Sequence, residues 1–269
     1  MKRKGRVWAR LWHEIHQTYI YKYVINLYVY SNLKQKYRRS VFGFLWSLVA
    51  PLLQNLIIGV VFYYLMRFNM PNYIIYLFSG ILIYNLISAV IIQSPYLMIN
   101  NEGYIKKIYV PKLIFIFEVV ILETVNFIFI MISLIILGLA FRKLHVSLYY
   151  LYLPVPILLT VLFVTGIGII ISIMSVYFRD LIHIVPVVMQ AVFFLTPVLY
   201  PMSVLPKKMQ QVIQLNPLYY YVELFRTPIL KHIFPKDINL LTCTLLALIV
   251  FILGLFTLLK HNNRIVFKL

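Results

Sequence analysis

Charged residues are scarce in this chain of 269 residues, and acidic residues are the scarcest. Only 12% of the residues are charged and seven are Asp or Glu, whereas soluble domains contain about 25% charged residues. Hydrophobic residues make up 62% of the sequence, and the mean hydropathy is +0.89. These values exclude a water-soluble fold. Because a helix needs about 20 apolar residues to cross a bilayer, we predict an all-α integral membrane protein.

The sequence also lacks the residues that most enzyme and cofactor sites require. Its single cysteine, Cys243, cannot form an intrachain disulfide. No phosphate-binding loop of the form G-x-x-x-x-G-K-S/T is present, so any ATP must be hydrolysed by another polypeptide. His13 and His16 lie close together and His183 is alone, and no cysteine joins them to make a metal site. We therefore predict no catalytic residue, no metal site and no cofactor bound by this chain.

The few carboxylates near predicted spans give little support to a gradient-coupled carrier, which needs ionisable groups at membrane depth. Glu118 and Glu123 fall near the start of the third apolar run, where a position at the membrane boundary is the better interpretation. Arg179 and Asp180 follow the fourth run. We predict that they form an ion pair or a helix cap at that boundary, because Asp180 has no second carboxylate close in sequence for acid-base catalysis.

The N-terminal segment is strongly basic, since ten of the 25 Lys and Arg residues occur in the first 39 positions. This clustering indicates a segment beside an anionic membrane leaflet and not a nucleic-acid-binding protein. Apolar side chains recur at helical spacing within it: Trp8, Leu11, Trp12, Ile15 and Tyr19. Residues 1–40 are therefore predicted to form a cytoplasmic amphipathic helix at the membrane interface, with packing on other protein as the alternative. No cleavable signal peptide is expected, so the first span directs insertion.

Six apolar runs follow, and each is predicted to be a transmembrane helix of one domain over residues 41–269. The runs are approximately 41–66, 73–97, 113–141, 153–177, 184–200 and 239–259. The segment 201–236 is rich in proline and cannot form one straight helix. Short re-entrant helices on the external side are predicted there, and a surface-lying hairpin is the alternative. Because Lys and Arg favour the side of the N-terminal cluster, both termini are predicted to be cytoplasmic.

Three segments, in order, resemble the membrane subunits of polysaccharide-exporting ABC transporters. Residues 36–48 read KYRRSVFGFLWSL, with Pro51 following, at the entry to the first span. Residues 177–181 read YFRDL and are followed by FFLTPVLYP at 193–201. Residues 215–219 read LNPLY. The sequence is thus similar to the type-2 exporters that move lipid-linked O-antigens, capsules and teichoic acids, over residues from about 20 to 259.

The resemblance implies a homodimer of six-helix subunits in the bacterial cytoplasmic (inner) membrane. It also implies two cytoplasmic ATPase subunits, which would bind ATP and Mg, and a coupling helix in the loop after the second span. That loop is short and charged, with apolar residues available to fill a groove in a partner. The residues predicted to contact the ATPase are Glu102, Gly103, Tyr104, Ile105, Lys106, Lys107, Ile108 and Tyr109.

Two further sets of residues are predicted to contact the polysaccharide and its lipid. Aromatic residues make up 16% of the chain, and sugars bind flat aromatic faces through their apolar C–H surfaces. The candidates for lining a pore are Phe62, Tyr63, Phe193, Phe194, Tyr200, Tyr219, Tyr220 and Tyr221. Cationic side chains recognise phosphate oxygens, and the candidates for contacting a polyprenyl diphosphate are Lys34, Lys36, Arg38 and Arg39. Aromatic belts and the positive-inside rule are the alternative explanations of both sets.

Three other functions remain as alternatives to polysaccharide export. An ABC exporter of another lipid or of drugs would share the same membrane architecture. A membrane enzyme acting on lipid-linked sugars would need catalytic groups gathered at one membrane face, and the sequence offers only scattered ones. A passive channel would not explain a loop of the coupling type.

Overall fold

The computed structural model describes residues 14, 16–36, 42–66, 72–140 and 147–269, and this part of the chain is helical without strands. Residues 16–20 are helical, and 3₁₀ turns occur at Gly43–Leu45, Leu148–Tyr152 and Met202–Val204. The α-helices are α1 (Lys22–Lys36), α2 (Trp46–Met66), α3 (Tyr73–Gln93), α4 (Tyr96–Asn100), α5 (Glu102–Lys107), α6 (Leu113–Ala140), α7 (Pro154–Tyr177), α8 (Leu181–Phe194), α9 (Lys207–Gln214), α10 (Pro217–Leu230) and α11 (Asp237–Lys268).

Four segments of the described chain are long and apolar enough to cross a membrane, and they coincide with four of the six apolar runs. They are Tyr73–Gln93, Leu113–Ile136, Leu148–Tyr177 and Asp237–Asn262. The other two runs contain shorter apolar helical stretches, in α2 and α8. The run at 184–200 differs from the prediction because its helix ends at Phe194, before Pro197, which disfavours helical backbone at the preceding residue. With 14 residues, α8 is about 21 Å long, shorter than a bilayer core of about 30 Å.

The connecting segments gather at two ends of the fold. At the terminal end, Glu14 and Asn262 are hydrogen-bonded to each other, so both terminal segments lie on one side. Tyr177, the last residue of α7, packs against α11 at the same end. At the opposite end, called the far end, the Tyr73 hydroxyl at the start of α3 donates a hydrogen bond to the Leu199 carbonyl at 2.6 Å.

The central helix is α3, and nearly all of its side chains are buried. It packs against α6 and α10. The helices α7 and α11 lie along each other and approach most closely at Gly166 and Gly254. A Cβ atom on Gly166 would lie 2.6 Å from the backbone nitrogen of Phe251. Small residues of this kind allow membrane helices to bring their backbones into contact.

The helix α1 uses one face to pack on α6 and leaves the other face exposed. Ile25 and Val29 are buried with Ile114 of α6, whereas Tyr19 and Tyr23 are exposed. The positions of the predicted interface stripe that lie outside the described residues are Trp8, Leu11, Trp12 and Ile15. Within the described part, α1 therefore buries one apolar face in the helical bundle and also exposes apolar side chains on the other face, among them Leu27 and Tyr30.

The proline-rich segment 201–236 divides into a 3₁₀ turn and the helices α9 and α10, so it does not form one straight helix. Pro217 occupies the first position of α10, where its missing N–H costs nothing. Asn216 caps this helix, since its side-chain oxygen accepts a hydrogen bond from the Leu218 backbone N–H at 3.0 Å. In α9, Ile213 is buried while Val212 is exposed.

Candidate functional site

The segment predicted to couple to an ATPase lies at the terminal end of the fold. It consists of the short helix α5 and the two residues that follow it, 108 and 109. Glu102 and Lys106 lie one turn apart on α5 and form an ion pair of 2.6 Å. The hydrogen bond from Lys106 holds the pKa of Glu102 below its ordinary value. The exposed residues of the segment are Gly103, Tyr104, Lys106, Lys107, Ile108 and Tyr109. The loop of residues 101–112, called the α5 loop below, therefore presents a mixed apolar and basic surface.

The inner side of the α5 loop is anchored to the helical bundle. Ile105 is 6% exposed and belongs to the main core, so it supports the loop from within. Tyr104 shares a side-chain hydrogen bond with Tyr28 of α1. The Asn101 side chain donates to the Leu97 carbonyl at 2.9 Å. Of the apolar side chains predicted to fill a partner's groove, Tyr104 and Ile108 are thus exposed and Ile105 is not.

A polar network joins the exit of the α5 loop to both terminal segments. The Asn262 side chain of α11 donates to Glu14 Oε1 at 2.6 Å, and it accepts from Lys112 Nζ at 2.5 Å. The Tyr109 hydroxyl donates to Glu14 Oε1 at 3.3 Å. Burial lowers the pKa of Lys112, and the charge of Glu14 opposes that change. The sequence analysis did not identify this network, because its members are far apart along the chain.

An aromatic groove of about 340 Å³ lies between α3 and α8. Phe193 packs edge to face against Tyr84, with ring centroids 5.0 Å apart, and against Phe194 at 5.6 Å. The Tyr84 hydroxyl donates to the Met189 carbonyl, which ties α3 to α8. The lining residues are Tyr84, Ser88, Ile92, Pro186, Met189, Gln190, Phe193 and Phe194. Two of the predicted pore aromatics therefore line a groove, together with Tyr84, which the sequence analysis did not select.

Two other predicted pore aromatics, Tyr200 and Phe62, are not among the described residues that line this groove. The Tyr200 hydroxyl donates to the Phe194 carbonyl at 2.6 Å and so closes the turn that follows α8. Phe62 is partly buried and packs on the main core from α2. Tyr63 lies in α2, with its side chain outside the described part.

The three consecutive tyrosines of α10 occupy different environments. Tyr219 and Tyr220 are partly buried, and their ring centroids are 5.1 Å apart. Tyr221 is fully buried, packs on Phe163, and donates a hydrogen bond to the Cys243 carbonyl at 2.9 Å. Tyr221 is therefore a core residue of the subunit. Successive residues of a helix point in different directions, so Tyr221 faces the core while Tyr219 and Tyr220 remain partly exposed.

The basic residues predicted to contact a diphosphate are only partly described. Lys34 is exposed on α1, and its ammonium group lies 5.9 Å from the centroid of the Tyr30 ring. Lys36 is the last residue of α1, and its side chain lies outside the described part. Arg38 and Arg39 also lie outside the described residues. Contact with a lipid diphosphate stays a prediction.

Arg179 and Asp180 are exposed and lie in the turn between α7 and α8. Among the described residues, ion pairs within 4 Å join Glu102 to Lys106 and Glu223 to Arg226, so the pair predicted for Arg179 and Asp180 is not formed. The Asp180 side chain makes no capping hydrogen bond either. The physical reason is that its backbone is already helical, with φ −62° and ψ −16°, whereas a capping side chain usually sits on extended backbone.

Both carboxylates of α6 have partners on neighbouring helices. Asn32 of α1 donates to Glu118 Oε1 at 2.5 Å. Gln93 of α3 donates to Glu123 Oε1 at 2.8 Å, and Asn126 donates to Oε2 at 3.2 Å. These contacts fasten α6 to α1 and α3, which gives both groups a structural role.

A second charged cluster, called the far-end clamp, was not predicted from the sequence. It consists of Arg226, Glu223, Tyr76 and the carbonyl of Pro197. Arg226 is 2% exposed, donates to the Pro197 carbonyl at 3.0 Å, and pairs with Glu223 at 3.2 Å. Its guanidinium lies 3.7 Å from the centroid of the Tyr76 ring. The signal available in the sequence was a Glu and an Arg three residues apart in an apolar stretch, which places them on one helix face.

These features define a multi-pass membrane protein of the transporter type, with apolar spans, an aromatic groove between helices and an exposed helical loop at one end. The chain belongs to the ABC-2 type transporter family, whose model matches residues 23–230. That range extends from α1 to the end of α10 and includes the α5 loop, the groove and the far-end clamp.

Its relatives include two proteins named O-antigen export system permease protein RfbA. The one from Myxococcus xanthus is 31% identical over 192 residues, which is 70% of this chain and 72% of the relative. The one from Klebsiella pneumoniae is 33% identical over 171 residues, 63% of this chain and 66% of the relative. The polysialic acid transport protein KpsM of Escherichia coli is 21% identical over 238 residues, 88% of this chain and 92% of the relative. The resemblance to polysaccharide-exporting permeases is confirmed.

Proposed function

We propose that this chain is the membrane permease of an ATP-driven exporter that moves a lipid-linked, O-antigen-like polysaccharide across the bacterial cytoplasmic membrane. The permease acts as a homodimer with two cytoplasmic ATPase subunits, which bind ATP and Mg. The names of the relatives support polysaccharide as cargo. The observation that carries the proposal is the α5 loop, which is exposed on its outer side and anchored to the bundle on its inner side.

In this proposal the ATPase binds the exposed face of the α5 loop. Ile108 is 57% exposed and Tyr104 is 52% exposed, so both are available to enter a cleft of the partner. Contact residues of this type, apolar or aromatic and surrounded by polar groups, carry most of the binding energy in interfaces. Because Ile105 and Tyr109 anchor the same loop, a force applied to its outer face would reach the bundle.

The proposed transmembrane topology has six spans, with both termini cytoplasmic and segment 201–236 re-entrant from the external side. α2 serves as the first span, and α8 together with the segment 195–200 that follows it serves as the fifth. The apolar character of both helices supports this assignment, as does the shared position of the two terminal segments. The second copy covers a stripe of exposed apolar residues spaced three and four apart along the α2 region. The stripe consists of Phe42, Trp46, Val49, Leu53, Ile57, Val60 and Tyr64.

The proposal predicts that the permease and its cognate ABC ATPase form a complex whose ATP hydrolysis rises several-fold with polyprenyl-diphosphate-linked glycans. The measurement is ATPase activity and glycan export in proteoliposomes. Ile108→Asp should weaken ATPase association by at least about thirtyfold, because it places a charge at an apolar contact. The matched control is Leu215→Asp, since Leu215 is also exposed and lies in the segment before α10 at the far end.

Two results would contradict this assignment of partner and cargo. Failure of the wild-type permease to form a complex with the ATPase would refute the ATP-driven mechanism. Stimulation by drugs or by lipids without glycan, and not by the lipid-linked glycan, would refute polysaccharide as the cargo. Equal loss of ATPase association in Ile108→Asp and Leu215→Asp would show that the α5 loop is not the contact with the ATPase.

The groove between α3 and α8 is proposed to guide the glycan. Phe194→Ala should lower export at least about threefold, because one aromatic contact is removed from the path of the sugar. Phe194→Tyr keeps the ring and should retain export. Phe194 is 60% exposed, so its truncation leaves no cavity in the core. Measurement of glycan transport in proteoliposomes checks this expectation.

A matched control for the groove is Phe256→Ala on α11, since Phe256 is 57% exposed and does not line the groove. This variant should export glycan at the wild-type rate. Equal rates for Phe194→Ala and the wild type would contradict a role of the groove, as would equal losses in Phe194→Ala and Phe256→Ala.

A further inference from the structure

Two buried charges meet at the terminal end without touching each other directly. Glu14 is 4% exposed and Lys112 is 7% exposed. The Asn262 amide bridges them, donating to Glu14 at 2.6 Å and accepting from Lys112 at 2.5 Å. These residues belong to three parts of the chain, since Glu14 precedes α1, Lys112 ends the α5 loop and Asn262 is on α11.

The network is poorly explained as a device for stability alone. Buried charged pairs often contribute no more to folding than apolar residues of the same volume. In addition, Glu14 Oε2 is buried and has no hydrogen-bond partner among the residues that the structure describes, so this part of the chain does not fully satisfy the carboxylate. The amide bridge instead fixes the geometry of the network. An amide that donates on one side and accepts on the other holds both charges at fixed relative positions.

We propose that Glu14, Lys112 and Asn262 form a latch that holds the α5 loop, α11 and the N-terminal segment as one moving unit. This inference rests on the proposed function, in which an ATPase acts on the α5 loop. The latch residues are positioning residues, and they touch neither nucleotide nor glycan. Through the latch, displacement of the loop is passed to α11.

From α11 the displacement reaches the rest of the membrane domain. α11 lies along α7, and at Gly166 and Gly254 the two backbones are in contact. Close-packed backbones transmit displacement because they cannot slide past each other without a clash. With the latch open, the ATPase would move the α5 loop while α11 stays in place, so ATP hydrolysis would continue without export.

The first test replaces the amide acceptor of the bridge by a second cation. Asn262→Lys places an ammonium group opposite Lys112, so repulsion replaces the hydrogen bond between the α5 loop and α11. Adding Lys112→Gln restores one cation and one amide with their positions exchanged, and the new ammonium group pairs directly with Glu14. In the purified permease, amide hydrogen exchange of residues 101–112 should be about tenfold faster in the single variant. It should return to the wild-type rate in the double variant.

The second test measures coupling in the complex with the ATPase. Asn262→Lys should keep ATP hydrolysis and lower glycan exported per ATP hydrolysed by at least about threefold. The double variant should restore the wild-type ratio, which a general loss of stability would not. Lys260→Gln is the matched control, because Lys260 is exposed one turn or less from the latch on the same helix.

A covalent link keeps the proposal testable if Asn262→Lys fails to assemble. The double variant Lys112→Cys and Asn262→Cys removes the latch, and a short bifunctional thiol reagent replaces it. Cys243, the only native cysteine, is buried. Cross-linking should restore the export ratio that the reduced variant has lost. Abolition of export by the cross-link would overturn the proposal, because it would show that the loop must separate from α11.

The outcomes separate failure of the latch from failure of the proposed function. Wild-type permease that neither binds an ATPase nor exports glycan refutes the function, whatever the variants do. Hydrogen exchange is measured on the permease alone and tests the latch without that assumption. Equal hydrogen-exchange rates of residues 101–112 in the wild type and in Asn262→Lys overturn the latch, as does a double variant that exchanges as fast as the single one.

Discussion

Arg226→Ala is expected to destabilise the permease by about 3 to 5 kcal/mol, the usual effect of removing one partner from a buried charged pair. The substitution leaves Glu223 without its partner at 3.2 Å. It also removes the Arg226 N–H that donates to the Pro197 carbonyl at 3.0 Å, leaving the Tyr76 hydroxyl as the donor to that carbonyl, and it removes the cation from the face of Tyr76. Because the clamp holds the turn after α8 against α3 and α10, its loss should loosen the whole far end.

The single cysteine provides a direct measurement of this effect. Cys243 has no exposed surface in the folded chain, so a thiol-reactive fluorogenic dye reacts with it only when the surrounding helices open. Thermal unfolding of detergent-purified protein should therefore show a clearly lower midpoint for Arg226→Ala than for the wild type. Arg264→Ala is the matched control, since Arg264 is an exposed arginine on α11, and it should unfold at the wild-type temperature.

A double-mutant cycle with Gly80 distinguishes the clamp from a general packing defect. A Cβ atom on Gly80 would overlap Nη2 of Arg226 and lie 3.3 Å from the Val198 side chain. Gly80→Ala alone should destabilise the protein, because the guanidinium has no room to withdraw. In the Arg226→Ala background the same change should cost much less, so the two effects should not add. Additive effects, or an unchanged midpoint in Arg226→Ala, would contradict the clamp.

The sequence predicted the helical class and most helix positions, because apolar run length follows directly from bilayer thickness. The short helix α5 was implied by the resemblance to polysaccharide-exporting permeases and not by the residues alone, and the structure has a helix at Glu102–Lys107. The prediction for the run at 184–200 was wrong at its C-terminal end, because apolar residues continue past Phe194 whereas the helix ends there. Proline at 197 was the signal for that boundary, but in a membrane helix proline does not always end a helix, as Pro186 within α8 shows.

Contacts between distant segments could not be predicted from the sequence in the same way. Glu14 and Asn262 are 248 positions apart, and Tyr76 and Arg226 come from different helices. No local periodicity indicates which polar residues of separate helices will meet. The pair Glu223 and Arg226 was readable in part, because opposite charges three positions apart in an apolar helix are expected to be buried together.

Gly166→Val is expected to destabilise the protein by disrupting the packing of α7 against α11. A Cβ atom at this position would lie 2.6 Å from the Phe251 nitrogen and 2.7 Å from the Val250 carbonyl carbon. Both neighbours are backbone atoms, which cannot change rotamer to make room, so the helices must separate. Overpacking of a close-packed interior usually costs about 1 to 3 kcal/mol, and contact with backbone places this variant at the upper end or beyond. Dye reaction at Cys243 should report a correspondingly lower midpoint.

Two other glycines provide the comparison variants: Gly254, which lies at the same contact between α7 and α11, and Gly59 of α2. Gly254→Val should behave like Gly166→Val, because its Cβ atom would lie 2.7 Å from the Gly166 carbonyl oxygen. The double variant should be little worse than either single one, since one separation of the helices relieves both clashes. Gly59→Ala on α2 is the matched control, because its Cβ atom would meet only the Ile74 side chain at 3.6 Å. If Gly166→Val unfolds at the same temperature as Gly59→Ala, then α7 and α11 do not touch through their backbones, and the path from the latch through α11 to α7 is lost with that contact.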